Sequence, residues 1–229
     1  MRTLSASIRK IAYASGLEHW ANDIQRNYGL KYFVDGDVVN GAQITKEVLG
    51  LLKRIPDSLI KDSGFTLLGI KYLGPNAEFF PNHGYFSCND GSIVLNSDIF
   101  NHPDFPDDFR DSKGKTISRA MQTFAHEIGH AYDFSNNYIS LKAPWLGLSD
   151  WNQGYKPGLK RLRIKKPGVE DVVGDWYYNP KAGFCRFYGK KEPEDDFADC
   201  FGYYVGGLKS KVPPNKIGYM DKLLGKYYT

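Results

Sequence analysis

The chain has 229 residues, 41% of them hydrophobic and 15% aromatic, with a formal net charge of +4. That is enough for one substantial core or two lobes across a cleft, and it excludes a disordered chain. The charge is too small to imply a nucleic-acid partner, no run of 18 apolar residues offers a membrane span, and three scattered cysteines, Cys88, Cys185 and Cys200, argue against a disulfide framework.

Residues 3–28 read as mostly helical, with a break near Gly16. Arg2, Arg9 and Lys10 make the first stretch basic, but it lacks an apolar run of signal-peptide length. An amphipathic first helix is expected there. The chain is expected to be cytoplasmic, or delivered by a route that needs no classical signal. Residues 44–55 form a short amphipathic helix that stops before Pro56, and residues 65–73 have strand character. Residues 85–88 and 92–95, joined by Asn89-Asp90-Gly91, read as a hairpin. Residues 92–95 are either a strand that pairs with an extended substrate or an ordinary sheet strand. Residues 101–115 are polar and contain proline, a loop that leads into a long helix.

Residues 116–134 carry the chemistry. Ile117, Met121, Phe124, Ile128 and Tyr132 recur at steps of four and three, the stripe of an amphipathic helix. His126-Glu127-Ile128-Gly129-His130 reads H-E-x-x-H. On a helix the two imidazoles share one face, about 200° round from Phe124 and Ile128. Two imidazoles at that spacing can hold one Zn²⁺, and the adjoining Glu127 can take a proton from a metal-activated water. Gly129 costs about 1 kcal/mol against alanine inside a helix, so its presence suggests close backbone approach.

A catalytic zinc needs a third protein ligand. The extension H-E-x-x-H-x-x-G-x-x-H is excluded, because Asp133 and Asn136 stand where glycine and histidine would be required. His19, His83 and His102 lie upstream in no ligand pattern and read as surface or core histidines. Residues 193–208 offer a carboxylate instead. Pro193 suits a first helical turn, and Glu194, Asp195 and Asp196 suit its positive end. Phe197, Phe201, Tyr204, Val205 and Leu208 continue at helical spacing. Capping accounts for Glu194 and Asp196 but not for Asp199, a full turn inside. Asp195 and Asp199 share a face, so one can bind zinc while the other accepts a hydrogen bond from a ligating histidine.

Between these segments, residues 135–187 are rich in glycine, proline and aromatics, including Trp145, Trp151, Trp176, Tyr177 and Tyr178, with little periodicity. They read as an irregular insert, a binding loop or lid. Within it Lys156, Lys160, Arg161, Arg163, Lys165 and Lys166 form a basic cluster, best taken as a solvated hairpin. A closing helix is expected over residues 214–227.

Tyr188, Gly189, Pro193, Asp195, Asp196, Phe197, Ala198 and Asp199, downstream of an H-E-x-x-H helix, resemble the pattern Y-G-x-x-x-P-x-E-D-F-A-E of the lethal-factor-like zinc metallopeptidases. That gluzincin-type family includes the Pro-Pro endopeptidases. The resemblance covers the His helix and residues 188–201. It implies His126, His130 and Asp195 as the ligands of one catalytic Zn²⁺ and Asp199 as the group behind a ligating histidine. It also implies Tyr188 as a hydrogen-bond donor to the oxyanion. The family has Glu where this chain has Asp195 and Asp199. Either the helix sits closer to the metal or Glu194 takes the ligand role; the register favours Asp195. The G-T-x-D pattern of the aspzincins is not found.

The expectation is therefore a single α+β, zincin-like domain over residues 1–229. It would have a small mixed sheet and an active-site helix in an N-terminal lobe (1–134), the insert (135–187), and a mainly helical C-terminal lobe (188–229). The expected activity is endopeptidase action on a peptide or protein substrate, with Glu127 as general base. A zinc-binding structural or interaction module is the alternative, but it would not need Glu127.

Overall fold

The computed structural model describes residues 18–35, 40–73, 83–100, 110, 113–166 and 169–229. The expected helix before residue 18, most of the 101–115 loop and His102 lie outside the described residues, as do the side chains of 164–173.

Helix α1 (Glu18–Tyr28) ends at Gly29, whose φ of +69° suits only glycine without strain, and strand β1 (Lys31–Val34) comes next. Helices α2 (Gly41–Leu52) and α3 (Asp57–Asp62) then cross to β2 (Leu67–Lys71), which lies parallel to β1. Strands β3 (Gly84–Ser87) and β4 (Ser92–Asn96) form the expected hairpin, with Gly91 at φ +64° in its turn. The sheet order is β1-β2-β4-β3, with only β3 antiparallel.

Burial explains the order. Every residue of β4 is buried, as suits a strand paired on both sides, whereas Gly84-Tyr85-Phe86-Ser87 of β3 is half-buried and forms an edge. This corrects one of the two readings of residues 92–95. Both edges of β4 are taken by β2 and β3, so it has no free backbone ladder for a substrate.

Helix α4 (Arg119–Ser135) packs on this sheet. It begins later than the apolar stripe because Ser118 caps it: the Ser118 side chain accepts a 3.1 Å hydrogen bond from the Met121 N–H. Phe124, Ile128 and Tyr132 are fully buried, and Phe124 meets Phe65 edge-on, with ring centroids 6.0 Å apart.

Residues 135–187 hold more order than their composition suggests: helix α5 (Ala143–Ser149) and an antiparallel hairpin of β5 (Lys160–Lys166) with β6 (Val169–Tyr178). Leu162 is buried, and Arg161 donates to the Gly174 carbonyl and pairs with Asp175 at 3.1 Å. The remainder is helical: α6 (Pro193–Val205), then α7 (Pro214–Leu224) running into a 3-10 turn over Gly225–Tyr227. The α+β class, the small mixed sheet, the His-bearing helix and the helical C-terminal part are all as expected. No described helix is long and apolar enough to cross a membrane.

Helices α4 and α6 approach each other at two glycines, one on each helix. A Cβ on Gly129 would sit 2.9 Å from the Ala198 Cα, and one on Gly202 would sit 3.1 Å from the His126 nitrogen. Both contacts are to backbone, which cannot rotate aside. The four small residues Ala125, Gly129, Ala198 and Gly202 thus let the two helices touch, bearing out the close approach expected at Gly129.

Candidate metal centre

Helix α4 carries His126 and His130 on the face turned to α6, and α6 answers with Asp195 from its first turn. The nitrogen Nε2 of His126 lies 3.1 Å from Nε2 of His130. Oδ1 of Asp195 lies 3.6 Å from the first and 3.4 Å from the second. Ligands about 2.0–2.2 Å from a tetrahedral zinc are spaced roughly 3.4 Å from one another. The three donor atoms therefore form a triangle of the right size for that ion. Among the described residues, this is the group of three His, Cys, Asp or Glu side chains whose donors converge in this way. Glu194 is not in it. His19 lies exposed against Trp20 and His83 precedes β3, both outside the group.

The tautomer suits the same chemistry. Nδ1 of His126 lies 2.8 Å from Oδ1 of Asp199, a carboxylate buried one turn further along α6. A carboxylate accepts, so Nδ1 carries a proton, and once the ring is neutral Nε2 is the nitrogen whose lone pair is left for a metal. The guanidinium of Arg186 grips the same Oδ1 from Nε at 2.7 Å and from Nη2 at 2.6 Å. Arg186 and the His126 ring hold the Asp199 carboxyl below the usual carboxylate range despite its burial.

Asp195 is oriented by a second cation. Lys191 donates to Oδ2 of Asp195 at 2.9 Å and to Oε1 of Glu192 at 2.8 Å, leaving Oδ1 facing the imidazoles. Burial opposes charge on the His126 imidazole. Asp195 and Asp199 outweigh it and push the metal-free ring up to about 9. Of the two carboxylates, Asp195 lies on the Nε2 side of the ring, where a cation would sit, and Asp199 on the Nδ1 side.

The site opens into a cleft of about 290 Å³ lined by His126, Glu127, His130, Tyr188 and Asp195. Tyr188 stands in a 3-10 turn, Tyr188–Lys190, with its ring 5.7 Å from that of His126 and the Arg186 guanidinium 5.2 Å from its centroid. Burial and the Asp195 charge raise its ionisation well above the ordinary tyrosine range, so the hydroxyl remains a donor. Tyr85 and Phe86 of the edge strand β3 also line it, as do Phe134 and Tyr138. Glu194 lines the same cleft, and burial pushes its carboxyl up to about 7.

All six residues expected from the sequence, His126, Glu127, His130, Tyr188, Asp195 and Asp199, lie in or directly behind this cleft. Arg186 and Lys191 were not anticipated. Lys191 stands four residues before Asp195, a spacing that points to a pair, whereas Arg186 meets Asp199 only through the folding back of residues 183–188.

No protein-family model and no curated protein matches the chain. Among solved structures, the chain is similar to a protein from Bacteroides caccae described as a candidate zinc-binding metallo-peptidase. The identity is 12%, 93% of this chain and 86% of that chain are covered, and the TM-score is 0.44. So remote a likeness assigns no residue a role.

Proposed function

We propose that the protein is a zinc-dependent endopeptidase of the H-E-x-x-H class, akin to the lethal-factor-like enzymes. The observation that carries this reading is the triangle of His126, His130 and Asp195 donors, 3.1, 3.4 and 3.6 Å on its sides, with Glu127 and Tyr188 lining the same cleft. When bound, zinc would acidify a water and polarise the scissile carbonyl. Glu127 accepts the water proton and returns it to the leaving amine. Tyr188 donates its hydroxyl proton in a hydrogen bond to the developing oxyanion. Asp199, clamped by Arg186, keeps His126 in the metal-binding tautomer. Lys191 keeps Asp195 turned inward. The edge strand β3 offers backbone groups on which an extended peptide can add as a further strand. On this reading residues 1–134 and 188–229 are the two lobes of one catalytic domain, and 135–187 is an insert between them in sequence.

The test is a cleavage profile on a diverse peptide library, wild type against Glu127→Ala, with zinc content measured in both. The expected result is one zinc per chain in each and a loss of at least about a hundredfold in turnover for the variant. Cleavage by Glu127→Ala at near the wild-type rate would overturn the assignment. Wild-type protein that holds zinc but cuts nothing would favour a structural zinc module.

A further inference from the structure

Cys185 and Cys200 are 15 residues apart in sequence, yet their Sγ atoms lie 3.3 Å apart in the interior. Cys200 is fully buried on α6, beside Asp199; Cys185 is 8% exposed, beside Arg186. The third thiol, Cys88, is exposed. Closing the pair to a disulfide bond of about 2.0 Å needs only about 1 Å of approach.

The location gives the pair its meaning. Residues 183–188 have no regular secondary structure until the turn at Tyr188, and polar contacts tie them to their surroundings. Lys216 holds the Gly183 carbonyl at 2.6 Å, and Arg186 holds Asp199. A covalent link from Cys185 to Cys200 would fasten this segment to the helix that carries Asp195 and Asp199.

We propose that Cys185 and Cys200 form a disulfide on exposure to a low-molecular-weight disulfide such as oxidised glutathione, and that the bond staples the Arg186–Tyr188 segment to α6. The slightly exposed Cys185 thiolate attacks the oxidant, forms a mixed disulfide and releases one small thiol. Cys200 then gives up its proton and attacks the Cys185 sulfur, expelling the second small thiol. Two protein thiols are oxidised, and the small disulfide is reduced to two thiols that carry away the protons. Burial and the neighbouring Cys185 raise the Cys200 thiol well above its ordinary range, consistent with Cys185 attacking the oxidant first.

The experiment uses full-length Cys88→Ser protein, which removes the exposed thiol and leaves the pair. After incubation with oxidised glutathione, free thiols are blocked, the protein is denatured, and the remaining thiols and tryptic peptides are analysed by mass spectrometry. The expected result is no free thiol, no retained glutathione, and peptide 182–186 joined to peptide 192–209. Two free thiols, or a persistent glutathione adduct on Cys185, would overturn the proposal. The oxidised protein should melt roughly 5 °C or more above the same sample reduced with a phosphine.

The stapling claim rests on the metal-centre reading and has its own readout. A chelator should strip zinc several-fold more slowly from the oxidised than from the reduced form. Equal rates with the cross-link in place would remove the link to the site, and a protein that never holds zinc would overturn the metal centre while leaving the disulfide intact.

Discussion

On the proposed function, His126 is the residue on which charge, metal and proton meet. With no metal, Asp195 and Asp199 favour its charged form, so the folded chain binds that proton more tightly than an unfolded chain whose histidine titrates near 6.5. The stability from this source is full below about pH 6.5 and is lost as the pH rises through about 9. Zinc requires the neutral ring, so its binding at pH 7 should expel about one proton. Chelated protein is therefore expected to lose on the order of 2–3 kcal/mol between pH 6.5 and 9, while the stabilisation by added zinc grows over the same range. Urea unfolding at both pH values, with chelator and with zinc, checks both trends; a chelated protein that gains stability toward pH 9 would contradict them. Tyr188 makes a narrower prediction. Its phenol stays protonated and has no role in holding the metal, so Tyr188→Phe should lower kcat by about 10²-fold with little change in KM. Steady-state kinetics on any cleaved peptide decides it, since a raised KM at unchanged kcat would make Tyr188 a binding residue instead.

At the scale of elements, the crossing of α4 and α6 sets the reach of the proposed third ligand. An aspartate is one methylene shorter than the glutamate expected at this position on the proposed reading. The contact among Ala125, Gly129, Ala198 and Gly202 brings the helices close enough for the shorter side chain to meet both imidazoles. Gly129→Ala tests this directly. Alanine would gain about 1 kcal/mol in helix propensity, but its methyl would stand 2.9 Å from the Ala198 Cα. Overpacking against backbone costs about 1–3 kcal/mol, so the clash wins. The variant should be less stable and bind zinc about tenfold more weakly in a competition titration with a chelating dye. Gly147→Ala in α5 is the control: a Cβ there meets nothing within 4 Å, and it should be neutral or slightly stabilising.

Across the whole molecule, one buried ion pair joins three parts of the chain. Lys216 of α7 and Asp196 of α6 are both fully buried, 2.7 Å apart. Asp196 also accepts from the Trp151 indole at 3.2 Å, and Lys216 reaches the Gly183 carbonyl. The residue beside the proposed ligand is thus locked to the insert, the last helix and the 183–188 segment at once. Burial raises the Asp196 carboxyl to about 6 even with Lys216 beside it. Lys216→Met strands that charge and should cost about 3–5 kcal/mol. Adding Asp196→Asn removes the charge and keeps an acceptor for Trp151, so the double variant should recover part of the loss. Urea denaturation of the wild type, both single variants and the double variant closes the cycle, and a double variant no more stable than Lys216→Met would show that the stranded charge is not the cause.

The helix carrying H-E-x-x-H was legible from its apolar stripe, the hairpin from Asp90-Gly91, and α6 from Pro193 and the acids after it, because each signal lies within one or two turns of chain. The His126–His130 pair belongs to this class, since four residues on a helix fix two side chains on one face. Other features depend on which surfaces meet. The sequence could not tell that β4 is enclosed while β3 is the edge, because strand order is set by packing between distant segments. Nor could it choose between Asp195 and Glu194 by more than register, pair Arg186 with Asp199, or bring Cys185 to Cys200. Helical periodicity says which side of a helix faces inward, and only the approach of a second helix, here through Gly129 and Gly202, decides which of its carboxylates arrives at the imidazoles.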